Sequence, residues 1–316
     1  MKIADLFCGA GLFSAGFVSE GFEPVFAADI NKDAVASYCQ NIKPVARVHD
    51  VTIIPNDIKA DVLLAGPPCQ GFSTLGRRDP FDIRNDMALV VPRWAEALNA
   101  KVVIVENVPP FLKSKQWENM VNDFQNMGYK ITKWVLDAAH FGTPQHRKRA
   151  FTIATKYSVP RKPKERDVIP STSVFIEPIK INDPLHVWPV HTGVAYERIK
   201  NVPENGSKMD LLEHTPHLCP SSWFKLGRQA TDVWGRINPH KPVNTVRCSF
   251  QSPSKGRYLH PSEDRVISLR EGARLQGIPD KWSFAGSRTS IARQIGNGVP
   301  IPLANTIAKA IAKTLC

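Results

Sequence analysis

The sequence predicts an α/β fold: an open, mostly parallel sheet followed by a smaller, irregular second region. Three observations carry this reading. Through residue 157, short apolar runs alternate with helix-forming stretches. These runs deliver in turn two glycines, Asp29, Asp50, Cys69 and Glu106, at the strand ends where open α/β sheets collect their ligands. Beyond residue 157 prolines crowd in, helical periodicity fades and basic residues outnumber acidic ones.

The first strand, Lys2–Phe7, runs into Phe7-Cys8-Gly9-Ala10-Gly11-Leu12-Phe13-Ser14. Two glycines between a strand and a helix make a turn whose backbone and helix N-terminus can approach a nucleotide. The third position of the dinucleotide fingerprint is Ser14 rather than glycine, and no hydride-transfer constellation accompanies it, so a dehydrogenase reading fails. The second strand, Pro24–Ala28, ends at Asp29, about twenty residues past the glycines, where an acid can accept from ribose hydroxyls or equally cap the next helix. A helix over Lys32–Gln40 and a short strand over Val45–Val48 lead to Asp50.

The fourth strand, Val62–Ala65, opens on Gly66-Pro67-Pro68-Cys69-Gln70-Gly71-Phe72-Ser73. Two prolines stiffen the turn before the cysteine and Gly71 frees the backbone after it. A thiol on such a turn, facing a crevice, has the layout of a nucleophile; a lone cysteine is otherwise a structural one. Thr74–Met87 is polar and long enough for a lid, or is a solvated loop. A helix over Ala88–Asn99 precedes the strongly apolar strand Lys101–Val105, which closes on Glu106. A carboxylate there is expensive without a partner or a task. A helix over Trp117–Met127 and strands over Tyr129–Asp137 and Arg149–Thr155 follow, with the basic turn Phe141–Arg149 between the strands.

In the second region short strands and loops are expected, with most of its tryptophans (188, 223, 234) in a small core. A helix over Ser268–Leu275, the glycine-rich turn Gln294–Pro300 and an amphipathic helix over Ile301–Thr314 close the chain. Its length of 316 residues suits one large and one smaller domain, and no apolar run approaches a membrane span. The Met1–Asp5 start is unlike a signal peptide, so a soluble, cytoplasmic protein is expected. Six cysteines without C-x-x-C spacing argue against a zinc site or a disulfide framework, and no metal is expected. The net charge of +12 suggests a polyanionic partner.

Taken together these stretches resemble the DNA (cytosine-5) methyltransferases of bacterial restriction-modification systems, over nearly the whole chain. Asp5–Gly16 resembles the family's S-adenosylmethionine (SAM) motif, and residues 66–73 its nucleophile motif. Glu106-Asn107-Val108 is similar to the E-N-V element and Gln145–Arg149 to Q-x-R-x-R. Arg270–Gly277 resembles the motif that follows target recognition, and Gln294–Pro300 is similar to Q-x-G-N-x-V-P. The resemblance implies a SAM-dependent methyltransferase sheet of Rossmann-like type, in a catalytic domain of residues 1–157 plus 290–316. A smaller, irregular, β-rich target-recognition domain would occupy 158–289.

It also implies a reaction: methyl transfer from SAM to C5 of a flipped-out cytosine in a short duplex sequence of ~4–6 base pairs. Cys69 would attack C6, Glu106 would assist at N3, and Arg147 and Arg149 would contact the base. Phe7, Gly9, Gly11, Asp29, Ile30, Asp50, Pro68 and Asn297 would hold SAM, and Gln70, Ser73, Arg84 and Thr245 would contact DNA. The family more often has Glu where Asp29 stands. The expected partner is double-stranded DNA, engaged by a monomer in the bacterial cytoplasm. A cognate endonuclease is expected to be encoded nearby without being a physical partner.

Overall fold

A computed structural model of the chain describes residues 1–68, 83–226 and 229–315. Among them a seven-stranded sheet runs in the order β3-β2-β1-β4-β5-β7-β6. Its members are β1 Lys2–Leu6, β2 Glu23–Asp29, β3 Ala46–Val48, β4 Val62–Ala65, β5 Val102–Asn107, β6 Lys130–Asp137 and β7 Lys148–Thr155. The first five pair in parallel, and β7 lies antiparallel between β5 and β6. The order reverses direction at β1 and β4, so a crevice opens beyond their carboxyl ends.

Helices cover both faces, which is why the central strands are apolar throughout. On one face α3 (Val90–Ala97) and α4 (Lys115–Asn126) cover a core built around Phe26, Trp94, Val103 and Phe124. On the other, α1 (Leu12–Val18) packs against the last helix, α11 (Ile301–Leu315), over Phe13, Phe17, Ile104, Phe151, Leu303 and Ile307. Gly16 permits that approach: a Cβ there would lie 2.4 Å from the Ala304 Cβ. α2 (Lys32–Asn41) is capped by Asn31, whose side chain accepts from the Asp33 and Ala34 amides. Asp29 therefore does not cap that helix.

The second region corrects one expectation. Among the described residues from 158 to 289 there is no regular strand, only the isolated bridges Gln145↔Val243, Arg236↔Leu259 and Leu259↔Val266. In place of a β-rich domain come five short helices: α5 Thr172–Ile176, α6 Gly193–Lys200, α7 Lys208–His214, α8 Ser221–Leu226 and α9 Leu269–Leu275. The physical reason lies in the prolines, which cannot donate to a ladder. Side chains do that bonding instead. The buried Arg236 donates to the carbonyls of Val202, His260, Glu263 and Ile199, and Arg257 donates to those of Asn205, Gly206 and Arg236. Trp234 is buried and Trp188 and Trp223 pack beside it, so these tryptophans are core.

The two regions share one apolar cluster, in which Leu12 of α1 meets Val246, Phe250, Leu269 and Ile295. Ile295 belongs to α10 (Arg288–Asn297), and the expected limit at 289/290 falls inside this helix.

Candidate active site

A cavity of about 2110 Å3 opens at the carboxyl edge of the parallel strands. Phe7, Gly9, Asp29, Ile30, Asp50, Pro67, Pro68 and Glu106 reach it from the sheet side. His146, Arg147 and Arg149 come from the β6–β7 connection, Thr245, Arg247 and Cys248 from the second region, and Asn297 from α10. One hollow thus gathers residues that stand as far apart as 7 and 297 in the chain.

The glycine turn is built for close approach. Phe7 and Gly9 have φ of 58° and 52°, and a Cβ on Gly9 would meet nothing within 4 Å, so its Cα faces open space. The Gly9 amide donates to Asp29 Oδ2 at 2.9 Å, and the Asn31 amide to Oδ1 at 2.8 Å. These bonds fix the Asp29 carboxyl in place and draw its pKa down, but burial outweighs them and holds it above the usual carboxylate range. Asp50 is exposed. Its Oδ1 accepts from the amide and hydroxyl of Thr52, which lowers its pKa. Ile30 is 78% exposed on the cavity wall. Gly11 is different: at φ 87° it starts α1, and a Cβ there would lie 2.8 Å from the Tyr38 ring, so it serves packing between Ala10 and Leu12, which do line the cavity.

Beneath this turn lies a buried polar chain that the sequence did not announce. Tyr38 donates its hydroxyl to Ser14 Oγ at 3.0 Å, and Ser14 donates to Asp5 Oδ2 at 2.7 Å. Asp5 is 1% exposed, and burial raises its carboxyl to about 7. Ser14 thus takes the place of the missing glycine and carries a hydrogen bond there.

Glu106, the last residue but one of β5, lies beside Gly66, whose absent Cβ would sit 3.7 Å from Glu106 Oε2. Its Oε1 lies 3.0 Å from Arg149 Nε. Burial raises the Glu106 carboxyl and is the larger influence; the charges of Arg149 and Arg147 oppose it. The next residue, Asn107, donates Nδ2 to the Pro67 carbonyl at 3.3 Å, which ties the turn at 66–68 to β5. The E-N-V pattern carried that signal, though no role for Asn107 was expected. Arg149 also donates to the Lys148 carbonyl at 2.8 Å.

Arg147, expected as a base contact, lines the cavity but is 1% exposed, and its Nη1 and Nη2 donate to the carbonyls of Val246 (3.0 Å) and Gly296 (2.7 Å). These bonds pin the second region and α10 to the sheet. Gln145 acts alongside it, donating to the Leu275 carbonyl and Gln276 Oε1 and accepting from the Val246 amide. Thr245 donates to the His146 carbonyl, and Asn297 Oδ1 accepts from the Cys248 thiol at 2.8 Å. Cys69, Gln70 and Ser73, and the lid reading through residue 82, lie outside the described residues, as does the Arg84 side chain. Met87, at the far end of that loop, reaches the cavity.

The chain matches the C-5 cytosine-specific DNA methylase family over residues 1–313. It belongs to that family. The type II methyltransferase M.DdeI of Desulfomicrobium norvegicum is 30% identical, with 98% of this chain and 88% of the relative covered. M.NgoFVII of Neisseria gonorrhoeae is also 30% identical, covering 98% and 86%. The structure of a DNMT2 mutant from Spodoptera frugiperda superimposes with a TM-score of 0.70 over 98% of this chain and 99% of its own, at 16% identity, and so shares the fold. The chain is therefore a methyltransferase that acts on DNA, of the restriction-modification type. Among the described residues no helix is long and apolar enough to cross a membrane, and no group of three or more His, Cys, Asp or Glu could hold a metal ion.

The family implies SAM as cofactor. The residues present fit it: a glycine open to the cavity, carboxylates of Asp29 and Asp50 beside it, and apolar wall from Phe7, Ile30 and Pro68.

Proposed function

We propose that this DNA methylase transfers a methyl group from SAM to C5 of a cytosine swung out of duplex DNA, through a covalent bond between Cys69 and C6. The reading is supported above all by the Glu106–Arg149 pair, held beside the Gly66–Pro68 turn that leads directly into Cys69. Cytosine C5 is a poor nucleophile until a thiolate adds at C6, which breaks the ring double bond and moves electron density toward C5, N3 and O2. A buried acid with a raised pKa can place a proton at N3 as that charge develops, and a guanidinium beside it stabilises O2. Glu106 and Arg149 take these roles.

Gly9 and Asp29 would hold SAM, which when bound would supply the methyl group, with S-adenosylhomocysteine as the other product. Phe7, Ile30, Asp50, Pro68 and Asn297 orient it, while Arg147 keeps the walls of the cavity together. Loss of the C5 proton then expels the Cys69 sulfur and restores the aromatic ring. The target base must leave the duplex stack to reach the cavity, and residues 158–289 face that duplex as a target-recognition region, with 1–157 and 290–316 as the catalytic part. Gln70, Ser73, Arg84 and Thr245 contact the DNA. In this reading the enzyme works as a monomer on cytoplasmic DNA, with a cognate endonuclease encoded nearby.

A duplex carrying 5-fluorocytosine at the target site tests this, because the fluorine cannot leave and the adduct persists. With SAM present the native protein should form a species stable to denaturing electrophoresis, and Cys69→Ser should not. No adduct on any duplex carrying 5-fluorocytosine, or labelling of tRNA alone with radioactive SAM, overturns the reading.

A further inference from the structure

We infer that residues 161–166 form a phosphate-binding strap along the rim of the catalytic cleft, gripping the DNA backbone outside the flipped base. The inference rests on the proposed entry of duplex DNA into that cleft. After β7 the chain runs without helix or strand from 158 to 170, and it is nonetheless held in place at two points. The Arg166 amide donates to the His140 carbonyl at 3.1 Å, and the His140 ring meets the Arg166 carbonyl at 2.9 Å. Further on, the Ser171 amide and hydroxyl both donate to the Lys241 carbonyl, and Thr172 donates to that of Pro239. The strap thus bridges the sheet and the second region. His140 and Glu165 both line the cleft, so the end of the strap anchored at Arg166 lies at the mouth.

Arg161, Lys162, Lys164 and Arg166 are all exposed. Lys162 pairs with Glu165 at 3.6 Å, whereas Arg161, Lys164 and Arg166 make no side-chain ion pair or hydrogen bond among the described residues. Asp167 is the acid left to set against those three cations, and Lys148 adds another exposed cation on the cleft wall. A charge run on an ordinary solvated face needs no anchoring. Here unpaired cations sit on backbone pinned beside the cavity that must admit a polyanion, where each phosphate neutralised releases condensed counterions.

The test is the salt dependence of duplex binding by the full chain, followed by fluorescence anisotropy of a labelled duplex between 50 and 300 mM NaCl. The triple variant Arg161→Ala/Lys164→Ala/Arg166→Ala should lower the slope of log affinity against log salt by about 0.9 for each cation removed, or roughly 2.7 in all. KM for DNA should rise at least tenfold at 100 mM salt, with kcat and SAM affinity unchanged. Lys309→Ala/Lys313→Ala on α11, which removes two cations that do not line the cleft, should leave the slope alone. An unchanged slope in the triple variant, or an equal loss per cation in the α11 variant, overturns the strap. Failure of the native protein to bind duplex DNA at all would instead bring down the function proposed above.

Discussion

Arg149 Nε stands 3.0 Å from Glu106 Oε1, at the point where β5 and β7 run out of shared register. The last rungs are Glu106↔Phe151 and Asn107↔Ala150, so Arg149 lies just past the ladder and is free to turn toward the carboxylate. Both side chains are nearly withdrawn from water, with 15% and 13% of their surface exposed. Burial and an opposite charge thus pull the Glu106 pKa in opposing directions, and burial is the stronger.

Glu106→Gln should retain SAM binding and lose 10²–10⁴-fold in kcat, the usual span for a positioned general acid. Single-turnover methylation beside a SAM titration separates the two effects. A kcat within threefold of native would remove Glu106 from the chemistry.

Arg149→Ala should raise the Glu106 pKa further, because the largest force opposing burial is gone. If the protonated carboxyl is the active form, the alkaline limb of the pH–rate profile moves to higher pH while the maximal rate falls through loss of the O2 contact. A limb that stays in place, or moves to lower pH, contradicts this coupling.

Arg147→Ala should destabilise the whole fold by about 2–4 kcal/mol, since buried carbonyls of Val246 and Gly296 lose their donors and a large buried side chain is deleted. Arg147→Lys, which cannot fork to both carbonyls, should recover only part of that. Denaturant midpoints read both. A variant with native stability but lost activity would instead restore a direct contact with substrate.

Asp5→Asn probes the buried chain under the glycine turn. The Asp5 carboxyl rises from an ordinary 3.8 to about 7 in the fold. Its contribution is therefore fully present below pH 3.8 and is lost as pH climbs through about 7. Asparagine cannot ionise, so the native protein should lose stability relative to the variant between pH 5 and 8, by up to ~2.7 kcal/mol, since 1.36 kcal/mol for each pH unit accrues only until the pH reaches about 7. Thermal midpoints at both pH values measure the difference, and an offset that does not change with pH rejects the assignment.

Much of this architecture could be read from the chain because apolar runs such as Val62–Ala65 and Val102–Val105 are buried on both faces and stand out as short uninterrupted segments. The polar residues at their ends then had one place to go. What stayed hidden was set by neighbours distant in sequence. Ser14 looked like a defect in a fingerprint until its bonds to Asp5 and Tyr38 were visible. Arg147 and Arg149 are two apart and would share a face on a strand, but Arg147 precedes the first residue of β7, and it donates to the carbonyls of Val246 and Gly296 while Arg149 pairs with Glu106. In the second region, β-branched stretches such as Val243–Val246 found no partner strand; arginine side chains met the carbonyls there, and no local pattern announces that exchange.

The pairing of α1 with α11 makes one face of the sheet a long-range closure. Leu303, Ala304, Ile307 and Ile311 join Phe13, Phe17 and Ile104 in one apolar cluster, although Phe13 and Leu303 stand nearly three hundred positions apart in the chain. The SAM turn that begins α1 therefore gains part of its footing from a segment far away in sequence. Because so long a loop must close before that contact rewards it, refolding should be slow and the cavity should take shape late.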